Sequence, residues 1–181
     1  MTGAPEIHVL YSQEEIAERV KAIATKIRQD ELKDLLFVAV LKGSFIFAAD
    51  LARALHEVGV EPEIEFLHLS SYGANTVSSG TVTILKDIAS DVSNRDVILV
   101  DDILESGRTL RFAADMIKER GAKSVRVAAL LDKPMYRKAD IEADYKGFDC
   151  PDKFVVGYGM DMGHAWRQLP FIGFIPQDGD K

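Results

Sequence analysis

The stretch VILVDDILESGRTL, residues 97–110, runs four apolar residues straight into two adjacent aspartates. A glutamate, a serine, a glycine, an arginine and a threonine follow, and a helical pattern opens behind them. A short run of this kind reads as a strand buried on both faces, as in parallel sheets. Such sheets bind ligands outside the carboxyl ends of their strands, which is where Asp101 and Asp102 fall. Two neighbouring carboxylates are costly to bury unpartnered, so the pair is expected to face a cleft and a polyol, a cation or a metal. In Glu105-Ser106-Gly107-Arg108-Thr109, small residues let several backbone N–H groups converge beside a helix N-terminus, which suits a phosphate monoester. The acidic pair would take sugar hydroxyls while the turn takes the phosphate. Neither a Walker loop nor a G-x-G-x-x-G turn is present. The plain alternative is a solvated acidic turn ahead of an ordinary helix. Buried strand, double acid and phosphate turn in one stretch favour the ribose phosphate.

Outward from this stretch, strands and helices alternate. Ser12 and Glu15 form a capping-box pattern, and Ile16, Val20, Ile23 and Ile27 share one face of the helix that follows. Residues 37–41 read as a buried strand, and Ala48, Leu51, Ala52 and Leu55 as an amphipathic helix stopped at Gly59. Residues 63–69, 81–85, 96–100 and 125–131 read as further strands, with a helix from Thr109 to Arg120 ended by Gly121. The polar stretch 70–80 has the composition of a lid or of a plain surface loop. After Leu131 the pattern turns irregular, with strand-like pieces at 153–159 and 171–175. The expected fold is α/β, a mostly parallel twisted sheet flanked by helices.

With 181 residues, 47% of them hydrophobic, the chain suits one well-buried domain. Its net charge of -7 argues against a broad nucleic-acid face. A single cysteine, Cys150, excludes an internal disulfide framework and a cysteine zinc cluster. His8, His56, His68 and His164 show no shared metal-ligand spacing. No signal-peptide pattern and no membrane-length apolar run are evident, so a cytoplasmic protein with no membrane partner is expected. Arg137-Lys138 reads as exposed charge, and Tyr158 and Trp166 as packing.

Residues 97–110 resemble the phosphoribosyl-pyrophosphate signature of the type I phosphoribosyltransferases. LKGSFIFAADLARAL, SSYG, LLDKP and PDKFVVGYGMD resemble the hypoxanthine (hypoxanthine-guanine) branch. The resemblance spans about Leu41 to Arg167 and implies a type I core at about 35–131. A small hood would come from the C-terminal part, with or without the N-terminus, all within one domain at 1–181. It implies transfer of the phosphoribosyl group to a 6-oxopurine, with phosphoribosyl pyrophosphate, the base and Mg²⁺ as partners, and a homodimer or homotetramer.

Carried over residue by residue, the resemblance gives Asp101 and Asp102 the ribose hydroxyls. It gives Glu105, Ser106, Gly107, Arg108 and Thr109 the 5'-phosphate turn, which Ile103 and Leu104 lead into. Glu105 would also accept the purine N7 proton, although the family usually has aspartate there. Lys133 would reach the purine O6, Phe154 would stack on the ring beside Lys153, and Val155 would offer backbone hydrogen bonds. Leu41, Lys42 and Gly43 would bind pyrophosphate through a cis peptide before Lys42, and Arg167 would contact it too. Asp161 and Asp102 would hold Mg²⁺, and Ser71 and Tyr72 would open a closing loop. Two alternatives are a phosphoribosyl-pyrophosphate-sensing regulator of the same fold and a xanthine or pyrimidine phosphoribosyltransferase.

Overall fold

The computed structural model describes residues 6–71 and 82–176. In chain order its elements are β1 (His8–Tyr11), α1 (Gln13–Gln29), β2 (Leu36–Leu41), α2 (Phe45–Glu57), β3 (Glu63–Ser71) and β4 (Val82–Lys86). Then follow β5 (Asp96–Leu104), α3 (Arg108–Glu119), β6 (Ser124–Asp132), β7 (Tyr145–Asp149), β8 (Val155–Val156) and β9 (Ile172–Phe174).

A six-stranded sheet runs β4-β3-β2-β5-β6-β7, parallel throughout except for β4 at its edge. Alternate residues of β2 enter two separate cores. Phe37 and Ala39 pack with the apolar faces of α1 and α2, while Leu36, Val38 and Val40 pack with that of α3. Burial on both faces is why these strands are apolar without alternation. The Ser12–Glu15 capping box is formed, and Ile16, Val20, Ile23 and Ile27 are buried. A second, antiparallel sheet, β1-β9-β8, joins both ends of the described chain.

Two of the differences from the sequence reading concern the main sheet. Strand β5 does not stop at Val100 but runs on through the acidic pair to Leu104. Its parallel partner β6 is just as long, so the ladder continues, pairing Asp101 with Ala129 and Leu104 with Asp132. On the other flank, the β2 register with β5 ends at Ala39–Val100. Beyond Val100, β5 is therefore paired on one side only, and Asp101 and Asp102 border the cavity at this end of the sheet. The second difference is β7, which extends the parallel sheet past Leu131. Only Tyr145 and Gly147 of its five residues are buried, too few apolar positions for a strand signal. Residues 72–81, and with them Tyr72 and most of the expected lid, lie outside the described residues. Among the described residues, no helix is long and apolar enough to cross a membrane.

At the far end of the sheet, Asp96 ties three segments together. It accepts from the Lys33 amide at 2.8 Å, the Ser124 hydroxyl at 2.7 Å and the Lys123 ammonium at 3.0 Å. Burial alone would raise its pKa, but these donors outweigh burial and hold it at about 2. The folded value lies below the unfolded one, so this contribution is present above about pH 4 and is lost as pH falls toward 2. Asp96→Asn should cost about 2 kcal/mol in urea unfolding near neutral pH and flatten the loss of stability between about pH 4 and pH 2.

Candidate active site

The cleft lies at the carboxyl end of β5. One cavity, about 290 Å³, is bordered by Leu41, Lys42, Gly43, Asp101 to Gly107 and Thr109. A second, about 270 Å³, shares Gly43, Asp102, Ile103 and Glu105 with it and adds Lys133, Lys153, Phe154, Val155, Met160, Asp161 and Arg167. Two adjoining spaces meet along the acidic strand end, with the phosphate turn beside the first and Lys133 and Phe154 beside the second.

Between β5 and α3, the chain reverses through Gly107 at φ 77°, a left-handed conformation suited to glycine. A methyl group there would also meet Ile141 Cγ2 at 2.7 Å. Helix α3 begins at Arg108, one residue earlier than expected; Gly107 brings no capping side chain, and the Arg108 amide donates to the Ser106 hydroxyl at 3.4 Å. The Leu41–Lys42 peptide is cis, as the resemblance implies. Behind it, Gly43 lies so close to Asp102 that a methyl would overlap the carboxylate.

Asp101 and Asp102 are half-buried side by side. Burial pushes the Asp101 carboxyl well above the usual range, and the Asp102 charge pushes it further. Burial also raises Asp102, against hydrogen bonds from Asp101 and nearby amides and the charge of Arg167. A pair held in this way gains from hydroxyl donors or a cation, which would favour its ionised forms.

On the base side, Lys133 follows directly after β6, and its amide donates to the Leu104 carbonyl at 2.9 Å. The side chain is only 9% exposed. Its ammonium donates to the Lys153 carbonyl at 3.1 Å, lies 3.3 Å from the Glu105 carboxylate and sits 4.9 Å above the Tyr136 ring. Phe154 is 48% exposed beside it, an aromatic face left open at the rim. Val155 is buried in β8. Lys153 lies 4.1 Å above the Phe174 ring, which ties the second sheet to this rim.

Opposite, Arg167 pairs with Asp161 at 2.6 Å and donates to the Gly159 carbonyl at 2.6 Å. The other Asp161 oxygen accepts from the His164 amide at 2.8 Å. Among the described residues, no group of three or more His, Cys, Asp or Glu side chains gathers to hold a metal. Asp102 and Asp161 border the same cavity. Two carboxylates suit Mg²⁺, which usually takes one or two from the protein and fills its shell with water and phosphate oxygens.

The fold thus brings together nearly every residue singled out in the sequence. Arg108 is exposed at the start of α3, and only the backbone of Ser71 is described. The sequence reading missed Arg137, taken there for exposed charge. Its side chain is 18% exposed, is ion-paired with Asp132 and donates to the Glu105 carbonyl at 2.8 Å. Tyr136, which lies under Lys133 and donates to Asp152 at 2.6 Å, was missed as well. Both follow Lys133 within four residues, so the spacing was the available signal.

The phosphoribosyl transferase domain family matches residues 8–162. A hypoxanthine-guanine phosphoribosyltransferase of Streptococcus mutans is 44% identical over 171 residues, 94% of this chain and 93% of the relative. The crystal structure of a hypoxanthine-guanine phosphoribosyltransferase from Bacillus anthracis superposes with a TM-score of 0.87 at 43% identity, covering 94% of this chain and 100% of that one. A hypoxanthine phosphoribosyltransferase of Trypanosoma cruzi, a point mutant in a ternary substrates complex, gives 0.88 at 36% identity, with 95% and 96% covered.

Proposed function

The chain belongs to the phosphoribosyl transferase domain family, and from that membership we propose how its cleft performs the transfer. It is a purine-salvage enzyme that moves the 5-phosphoribosyl group of phosphoribosyl pyrophosphate to hypoxanthine or guanine, releasing pyrophosphate. The observation that carries the residue assignments is the shared border of the two cavities. Asp102 borders both, with Asp101 beside it on the first, the turn beside the first and Lys133 beside the second, an order that suits a ribose between its 5'-phosphate and its base.

In this reading the turn amides of Ser106 to Thr109, preceded by Ile103 and Leu104, hold the 5'-phosphate, with Arg108 at the mouth. Asp101 and Asp102 accept from the ribose hydroxyls. Phe154 stacks on the purine, the Val155 backbone meets its edge with Lys153 alongside, and Lys133 donates to O6. Glu105, 3.3 Å from the Lys133 ammonium, is on the base side of the turn and accepts the N7 proton as N9 attacks the sugar. The Leu41-Lys42-Gly43 backbone and Arg167 face the leaving pyrophosphate. Bound between Asp102 and Asp161, Mg²⁺ would supply charge stabilisation to that leaving group. The loop opened by Ser71 and Tyr72 would keep water from the developing oxocarbenium. We infer as well that residues 1–181 form one domain, acting in the cytoplasm as a homodimer or homotetramer.

Turnover of hypoxanthine, guanine, xanthine, adenine and uracil with phosphoribosyl pyrophosphate tests the base assignment. Hypoxanthine and guanine should react and adenine should not, since its amino group offers Lys133 no acceptor. Preference for xanthine or uracil would replace this reading with another base specificity. Inertness toward all five, with phosphoribosyl pyrophosphate still bound, would replace it with a sensor.

A further inference from the structure

The segment after Lys133 packs behind the phosphate turn rather than into the cleft. Arg137 and Ala139 border a different cavity, on the far side of the turn, together with Asp132 and Ile141. From that side, the Arg137 guanidinium donates to the Glu105 carbonyl at 2.8 Å. The amides of Lys138 and Ala139 donate to the next carbonyl, that of Ser106, at 2.9 and 3.1 Å. In a trans peptide, the carbonyl of one residue and the N–H of the next point in opposite directions. Holding the Glu105 and Ser106 carbonyls from behind therefore turns the Ser106 and Gly107 N–H groups forward. Both residues border the cavity that contains Asp101 and Asp102, and no acceptor among the described residues takes either amide.

We propose that Arg137 is a positioning residue for phosphoribosyl pyrophosphate: anchored by Asp132, it fixes the Glu105 peptide so that the Ser106 amide is presented to the 5'-phosphate. This inference rests on the phosphoribosyl-transfer reading above and deepens it. The anchor is well placed for the task. Asp132 ends β6, opposite Leu104 in the parallel ladder. Arg137 thus ties the turn to the strand end that also carries Lys133. The Asp132–Arg137 pair is largely shielded, 14% and 18% exposed, so it is screened less than a surface pair. An oriented amide needs no rearrangement when the phosphate arrives, whereas a free turn would have to order on binding.

The test compares the parent with Arg137→Met and Arg137→Lys, by steady-state kinetics and by titration with ribose 5-phosphate. Arg137→Met should raise the KM for phosphoribosyl pyrophosphate and the Kd for ribose 5-phosphate about tenfold, the size of one charge-assisted hydrogen bond. The KM for hypoxanthine and kcat should stay within a few fold. Arg137→Lys, which can serve one of the two acceptors, should fall between Met and the parent. Unchanged affinity for both phosphate ligands would overturn the proposal. So would an equal loss in every parameter together with a fall in Tm, or failure of both variants to fold, since either makes Arg137 a structural residue. A parent that binds neither ligand overturns the transfer reading and this inference with it. An active parent with an indifferent Arg137→Met overturns this inference alone.

Discussion

Glu105→Gln is expected to lower kcat by roughly 10²–10⁴-fold, the usual contribution of a general base. The substitution keeps the size of the side chain and its hydrogen-bonding capacity but removes the basic oxygen. Glu105 follows immediately after β5 and is half exposed, with its carboxylate 3.3 Å from the ammonium of Lys133. It therefore points toward the base side of the cleft and not along the axis of α3. Affinity for phosphoribosyl pyrophosphate should change little, because the turn amides and the acidic pair are untouched. The carbonyl that Arg137 holds belongs to the backbone and survives the substitution. Glu105→Asp should keep substantial activity if the shorter side chain still reaches N7. Steady-state kinetics on the three proteins decide the matter. Equal kcat for Gln and parent would make Glu105 a turn residue and send the proton elsewhere.

The second large effect is expected at Lys133. Met keeps the aliphatic stem of a side chain that is 9% exposed, and removes the ammonium. Use of hypoxanthine, as kcat/KM, should fall roughly 10²–10³-fold, because a charge-assisted hydrogen bond is lost and the purine oxygen is left without a donor. Binding of phosphoribosyl pyrophosphate should be nearly unaffected, since Lys133 borders the second cavity and not the first. Equal losses for both substrates would contradict the assignment. Fold stability should change little. Glu105 and Asp152, the two acids beside the ammonium, are 49% and 61% exposed and can turn to water.

Much of this cleft was legible because its chemistry is contiguous in sequence. Strand, acidic pair, phosphate turn and helix occupy residues 97–110, and local rules for parallel strands and helix N-termini suffice to read them. The strand's true end was not legible. Asp101 to Leu104 stay in β5 because β6 continues beside them, a pairing that no local pattern encodes. Strand β7 escaped notice for a related reason: at the sheet edge it buries Tyr145 and the glycine at 147, where a side chain would strike the Leu130 carbonyl. Arg137 was misread because the residues it serves, Asp132 and Glu105, are 5 and 32 positions away. Basic residues in loops are ordinarily solvated, and only the return of the segment behind the turn makes this one an anchor. Lys133 and Phe154 show the converse case: only family resemblance paired them in the sequence, and the structure sets both on the border of one cavity.

The most direct test of transfer is a ³¹P spectrum and chromatogram of the protein incubated with Mg²⁺, phosphoribosyl pyrophosphate and hypoxanthine. Inosine 5'-monophosphate and pyrophosphate should form in equal amounts, and only when the base is present. Hypoxanthine left unconsumed, or phosphoribosyl pyrophosphate broken down to ribose 5-phosphate at a rate independent of the base, would contradict it.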